Sequence, residues 1–228
     1  PNKFMGSGML PAGAYATLEH EYVLIFRRGG RRTFSAEEAR RRRESAFFWE
    51  ERNLWFSDLW ELKGTTQLLP ENQARKRSAA YPLELAHRLI NMYSIQGERV
   101  LDPFLGTGTT AAAALLNGRS SVGFERLPDF APIVRESMEA MGGNANGLVI
   151  ARLEAHHSFV EAYTNRRGKP PGHTNRTYGF PVVTKQEAEL RLLGLASLEE
   201  VDELRFAGTH EIVGPEKLVK HGELDFGR

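Results

Sequence analysis

The stretch Arg99-Val100-Leu101-Asp102-Pro103-Phe104-Leu105-Gly106-Thr107-Gly108-Thr109-Thr110, with the alanine-rich run Ala111 to Leu116 directly behind it, decides the fold. Apolar and branched residues lead into an acid, then two glycines spaced by one, then a pair of threonines. That is the pattern of a buried strand, a tight glycine loop and a helix start. A second strand follows, Ser120-Ser121-Val122-Gly123-Phe124, ending in Glu125 fifteen residues beyond Thr110. Strand, glycine turn, helix and second strand with a terminal acid make a nucleotide-type cofactor site in an α/β fold. Glycines let backbone N–H groups approach a ligand, and a carboxylate can accept both hydroxyls of a ribose. Gly-x-Gly alone is weak, and a plain strand–turn–helix is the bland alternative. The flanks and Glu125 favour the site.

Asp102 narrows the ligand. A dinucleotide fingerprint wants a third glycine at position 111, where this chain has Ala, a replacement the fingerprint tolerates. An acid ahead of the glycines suits a ligand with a positive group, such as the amino group of a methionine moiety, whereas a pyrophosphate has no use for it. Asp102-Pro103-Phe104-Leu105-Gly106-Thr107-Gly108-Thr109-Thr110 resembles the S-adenosylmethionine motif of the DNA amino-methyltransferases. Arg77-Ser78-Ala79-Ala80-Tyr81-Pro82-Leu83-Glu84-Leu85 is similar to the Pro-containing segment that precedes the glycine loop in the β-ordered class and closes over the methionine end of the cofactor. Leu18 to Gly30 looks like the strand that follows the catalytic strand, and Ser45 to Trp60 like the stretch after it. The likeness runs from residue 1 to about 141.

The resemblance implies a Rossmann-like, S-adenosyl-L-methionine-dependent methyltransferase sheet flanked by helices over residues 1–147. Residues 78–141 would be its cofactor-binding half and 148–228 a small C-terminal extension. Gly106 and Gly108 would admit the methionine and ribose parts. Thr107, Thr109 and Thr110 would offer hydroxyls, one of them capping the helix. Asp102 would face the ammonium, Phe104 would pack near the transferred methyl with Pro103 also in the cofactor-binding loop, and Glu125 would bind the ribose diol. Phe130 is either a wall for the adenine or packing of helix 128–141. The reaction implied is methyl transfer to an exocyclic amine of a flipped DNA base. Cytosine N4 is favoured because Asn2 to Leu10 and Trp49 to Asn53 resemble a prokaryotic subgroup of that specificity. Adenine N6, an RNA or small-molecule substrate, and a non-catalytic subunit needing a partner are the alternatives.

One departure is severe. The class holds its target base with a Ser/Asp/Asn-Pro-Pro-aromatic tetrapeptide, and none occurs here; the sole Pro-Pro, Pro170-Pro171, lies between Lys169 and Gly172. The catalytic residues are therefore unassigned. Since the chain opens on Pro1 in what resembles a loop, the expectation is that an N-terminal part carrying the tetrapeptide is missing.

Composition sets the remaining bounds. At 228 residues, 41% hydrophobic and 26% charged, the chain suits a globular domain with a substantial core. No apolar run reaches the roughly 20 residues of a membrane span. The lack of Cys excludes a cytosine-C5 mechanism, which needs a thiolate, and fits a reducing cytoplasm. Residues 27–77 carry 13 Lys/Arg against 8 Asp/Glu, and all three tryptophans, Trp49, Trp55 and Trp60. This basic, aromatic stretch is the candidate DNA-recognition insert, with Arg40, Arg41, Arg42, Arg43, Arg75, Lys76 and Arg77 as candidate contacts to double-stranded DNA. The bland readings are core packing for the tryptophans and an exposed helix, 36–50, held by Glu37/Arg41 and Glu38/Arg42 pairs. The resemblance leaves open a homodimer and a cognate restriction endonuclease. The His156-His157 pair lacks further ligands at metal spacing and is read as core or surface, so no metal is expected. Further elements are expected as a strand at 20–27, helices at 83–94, 109–116 and 128–141, and a helical run from Leu148 to Tyr163. A loop is expected at 165–179, helices at 184–193 and from Ser197, a strand at 205–213 and a frayed tail.

Overall fold

The computed structural model describes residues 20–62, 81–143 and 145–214. The loop on which the chain is expected to open, the Arg75-Lys76-Arg77 cluster and the tail expected to fray lie outside these residues. The chain divides into two compact units, one up to Thr33 and one from Phe34 onward. In the first, residues 20–28 form no strand and pair with none among the described residues, so the strand expected at 20–27 is not formed.

The second unit opens with α1 (Ala36–Glu44), which starts in a capping box. The Ser35 hydroxyl accepts from Glu38 N at 3.2 Å, and the Glu38 carboxylate accepts from Ser35 N at 2.9 Å. The single helix expected over 36–50 does not form. The chain turns at Ser45 and restarts as α2 (Trp49–Trp55). The turn buries Phe48 completely, against Val149, Leu153 and Leu190, a position that a straight continuation of a charged helix would not reach.

Then follow α3 (Leu83–Tyr93), β1 (Arg99–Asp102), α4 (Thr109–Leu116) and β2 (Ser120–Gly123). β1 and β2 pair in parallel, from Arg99↔Ser120 to Asp102↔Gly123. This parallel β–α–β unit makes the fold α/β, as expected. Alanine content explains its tightness: Ala113 and Ala114 of α4 pack directly on Ala86 and Ile90 of α3. Pro82 is the residue immediately before α3, as the expected start at 83 requires. The expected 128–141 helix begins as a tight 3-10 turn, Pro128–Phe130, before α5 (Ala131–Gly143). α6 (Gly147–Arg167) runs longer than expected and stops where Gly168 takes φ +73°.

The C-terminal part departs most from expectation. After short strands β3 (His173–Thr174) and β4 (Pro181–Val182), the helix expected at 184–193 is only a 3-10 turn, Lys185–Glu189. The helix expected from Ser197 is instead part of a β-hairpin, β5 (Leu193–Asp202) with β6 (Arg205–Ile212). Tertiary packing wins over local pattern here. Leu195 joins Leu116 and Ala145 in one cluster, and Phe206 packs on Ala112, Val134 and Met138. The hairpin is thereby packed against α4, and His210 Nε2 reaches the Leu115 carbonyl at 2.7 Å.

Buried polar residues stitch these elements together. Asn175 donates to the carbonyls of Glu187 and Leu190 and accepts from Thr177 N and Tyr178 N. It thus organises residues expected to be a loop. The Glu51 carboxylate pairs with Arg152 at 2.5 Å. His156 is fully buried, its ring stacked 4.1 Å from Phe48, with Glu50 and the Pro181 carbonyl at its two nitrogens. His157 is exposed on the same helix. Among the described residues no group of His, Asp and Glu could hold a metal, and no helix is long and apolar enough to cross a membrane.

Candidate cofactor-binding site

Parallel strands end together, so whatever follows them gathers at one edge of the sheet. β1 ends at Asp102 opposite Gly123 of β2, and two further hydrogen bonds extend the pairing. Phe124 N donates to the Asp102 carbonyl at 2.9 Å, and Leu105 N donates to the Phe124 carbonyl at 2.8 Å. The glycine loop is thereby clamped to the end of β2. Gly106 and Gly108 take φ +54° and +85°, a region that L side chains rarely adopt. Gly123 serves the same clamp differently: a Cβ there would lie 2.5 Å from Leu105 Cδ1. Sequence reading missed this role, for which the Val-Gly-Phe-Glu order offers only a faint signal.

Both acids expected at the site stand at this edge. One Asp102 oxygen accepts from Phe104 N at 2.9 Å, the other from the Thr110 hydroxyl at 2.5 Å. The Glu125 carboxylate bridges the two loops, accepting from Gly106 N at 3.0 Å and from Leu127 N at 2.8 Å. Each carboxylate oxygen keeps a second lone pair for a ligand. α4 has Gly108 as its N-cap and no capping side chain, so the threonine cap expected there is absent. The reason is that the N-cap position falls on Gly108, which has no side chain; Thr110 is engaged with Asp102, and the Thr107 and Thr109 hydroxyls lie 3.3 Å from each other. The N–H groups of the first helical turn are left as a patch of partial positive charge.

An open groove of about 570 Å³ lies across this edge, lined by Pro103, Phe104, Phe124, Glu125, Arg126 and Leu127. Phe104 is 87% exposed and Phe124 61%, so two aromatic faces stand free beside the Glu125 carboxylate. Phe124, Arg126 and Leu127 were not anticipated, although their place on either side of Glu125 is the signal that could have found them. Phe130 is buried with Ile133 and Leu127, one layer behind the groove lining.

The structure adds Tyr81. It stands immediately before Pro82, which restricts its backbone to extended conformations. Its hydroxyl is hydrogen-bonded to Thr110 Oγ1. Burial pushes its phenol above the ordinary range; the Thr110 bond opposes this and the Asp102 charge adds to it. The phenol is therefore protonated at neutral pH.

The basic residues are placed less simply. Arg40, Arg42 and Arg43 are exposed on α1 and Arg41 is half-buried. Arg40 pairs with Glu37 at 2.6 Å and Glu44 at 3.0 Å, Arg43 with Glu189 at 2.7 Å, and Arg41 lies 3.9 Å from Glu37. The Arg42 guanidinium stacks 4.8 Å from the Phe34 ring centroid. Of the tryptophans, Trp55 is buried, Trp60 donates its indole N–H to the Trp55 carbonyl at 3.0 Å, and Trp49 is partly exposed.

Comparison with known proteins gives concordant matches. A family model described as DNA methylase matches residues 3–136. Type II methyltransferase M.MthZI of Methanothermobacter thermautotrophicus is 48% identical over 219 residues, covering 95% of this chain and 60% of that protein. Type II methyltransferase M.MjaI of Methanocaldococcus jannaschii is 48% identical over 138 residues, covering 60% of this chain and 45% of that protein. The chain thus spans 60% or less of the length of these two relatives. The Thermus thermophilus protein TTHA0409, solved in complex with S-adenosyl-L-methionine, is 32% identical over 52% of this chain and 47% of its own, with a TM-score of 0.38.

Proposed function

We propose that this chain, which belongs to the DNA methylase family, supplies the S-adenosylmethionine-binding part of an enzyme that methylates an exocyclic amine of a DNA base. The observation that carries this reading is the edge where Asp102, the Gly106–Gly108 loop and Glu125 meet beside an open groove. The donor set fits the ligand. A carboxylate at Asp102 meets an ammonium, a carboxylate at Glu125 meets a pair of ribose hydroxyls, and exposed aromatic rings offer faces to an adenine. When bound, S-adenosylmethionine supplies a methyl group already activated on a sulfonium. What the chain contributes is position: Asp102 fixes one end, Glu125 fixes the other, and the glycine backbone allows close approach between them. Orientation and a fixed electrostatic field are the main catalytic terms such a site can offer.

Among base amines, cytosine N4 is our reading, supported by the likeness of Asn2 to Leu10 and Trp49 to Asn53 to a prokaryotic subgroup of that specificity. No polar-Pro-Pro-aromatic tetrapeptide occurs in the sequence, so no residue here is assigned to hold the base. Residues 27–77, with Arg40 to Arg43 and Arg75 to Arg77, are our candidates for contacting duplex DNA, supported by their excess of positive charge. A cytoplasmic location suits that substrate.

Calorimetric titration with S-adenosylmethionine tests the reading through binding. Replacing Glu125 with Ala should weaken the affinity by about 1.5–3 kcal/mol, the usual cost of losing hydrogen bonds to a charged group. Absence of binding by the unaltered chain, or equal affinity in the Glu125→Ala variant, would overturn it.

A further inference from the structure

The hydrogen-bond directions from Asp102 outward are forced. An ionised carboxylate has no proton to give, so Thr110 donates to Asp102. The Thr110 hydroxyl has then spent its only proton and can only accept from its second partner. Tyr81 must therefore donate to Thr110. The result is a one-way chain, Tyr81 to Thr110 to Asp102, that begins ahead of α3, crosses to the first turn of α4 and ends on β1.

Thr110 needs such a partner. In a helix a threonine side chain divides between rotamers, because its hydroxyl can turn back to a carbonyl three or four residues earlier. The Tyr81 phenol rewards only the rotamer that also reaches Asp102. With the other Asp102 oxygen held by Phe104 N, both oxygens have a fixed donor and the carboxylate plane is set. Tyr81 itself is 39% exposed, and its proton is committed inward.

We propose that Tyr81 is a positioning residue for the charged amino-acid end of the cofactor: by donating to Thr110 it holds the Asp102 carboxylate in the orientation that receives the ammonium. This rests on the cofactor reading of Asp102 given above. It gives the phenol hydroxyl a specific task within the segment that resembles the one closing over the methionine end of the cofactor, since a phenylalanine at position 81 would satisfy the same backbone restriction.

The test compares two ligands that differ at that end. S-adenosylhomocysteine carries the ammonium; 5′-methylthioadenosine has the same nucleoside and no amino-acid group. Each is titrated calorimetrically into the unaltered chain, Tyr81→Phe, Thr110→Val and the double variant. Tyr81→Phe should bind S-adenosylhomocysteine roughly five- to tenfold more weakly, the scale of one hydrogen bond lost beside a charge. Its affinity for 5′-methylthioadenosine should stay within about twofold, because a selective loss is what an effect routed through Asp102 produces. The double variant should be no worse than Thr110→Val, because the two residues act in series. Equal losses for both ligands would assign Tyr81 a merely structural role and overturn the proposal, as would no loss for either. Glu125→Ala separates the two levels of inference: loss of both ligands in that variant upholds the site, so a failure at Tyr81 then falls on the relay alone.

Discussion

Acidification should destabilise this protein through His87. The ring is buried between α2 and α3, edge-on to Trp55 at 5.4 Å, and beside Asn91, whose amide donates to the His87 and Asn117 oxygens at 2.8 Å. Burial brings its pKa down to about 3, and the charges of Arg152, Arg119 and Arg88 add to the effect. The unfolded chain takes up a proton near pH 6.5, while the folded chain refuses it until about pH 3. Between those values the unfolded state binds more protons, so stability falls as pH falls. At pH 5.0, about 1.5 pH units below the ordinary imidazole value, the penalty from this one residue is about 2 kcal/mol. That is a large fraction of the few kcal/mol by which domains are stable. Glu37, Glu189 and Glu200 do not confuse the comparison. Hydrogen bonds from Arg40, Arg43 and Arg135 hold their carboxyls below the ordinary range, so the small stability they lose as the unfolded chain begins to protonate near pH 5 is the same in both proteins and cancels. Urea unfolding followed by tryptophan fluorescence at pH 7.5 and pH 5.0 measures the effect. The unaltered chain should lose about 2 kcal/mol more than His87→Gln between the two conditions. The comparison holds even if the variant is less stable overall, because only the change with pH is read. Equal losses in the two proteins would refute the argument.

Two further outcomes are expected. Asn175→Ala removes four hydrogen bonds at a fully buried position and strands the Thr177 and Tyr178 N–H groups, while the Leu190 carbonyl loses its side-chain donor and the Glu187 carbonyl keeps only Leu190 N. It should cost about 3 kcal/mol or more in urea unfolding, since unmet buried polar groups each cost about 1–3 kcal/mol; a cost under about 1 kcal/mol would mean that water replaces the side chain. Changing Arg40 to Arg43 together to Gln should flatten the dependence of log K on log salt for duplex DNA, by about 0.9 for each phosphate that is no longer neutralised. If the ion pairs with Glu37, Glu44 and Glu189 are the only work of these arginines, the slope will not move and stability alone will fall.

The sequence by itself determined the β–α–β unit and the chemistry of its edge. Strand, glycine loop, helix and acid are local patterns: Gly106 and Gly108 announce positive φ, and Ala111 to Leu116 announce a helix with small residues. The helix over 109–116 accordingly stands where the pattern puts it. Contacts between distant residues had no such signature. Thr184 to Leu193 has helical spacing of leucines, yet Leu190, Leu192 and Leu195 are each buried, which an extended chain running into a hairpin permits and a one-sided helix does not. Ser197-Leu198-Glu199-Glu200 reads as a cap only until Ser197 is paired with Thr209 and Leu198 with Gly208. Arg40 and Arg43 look like free positive charge until Glu44 and Glu189 are beside them. Tyr81 lies 29 positions from Thr110, and nothing local to either residue names the other. Residue types near one another in the chain set backbone geometry and helix faces; the partners of a buried hydroxyl, carboxylate or imidazole are chosen only when the chain closes and water is excluded from around them.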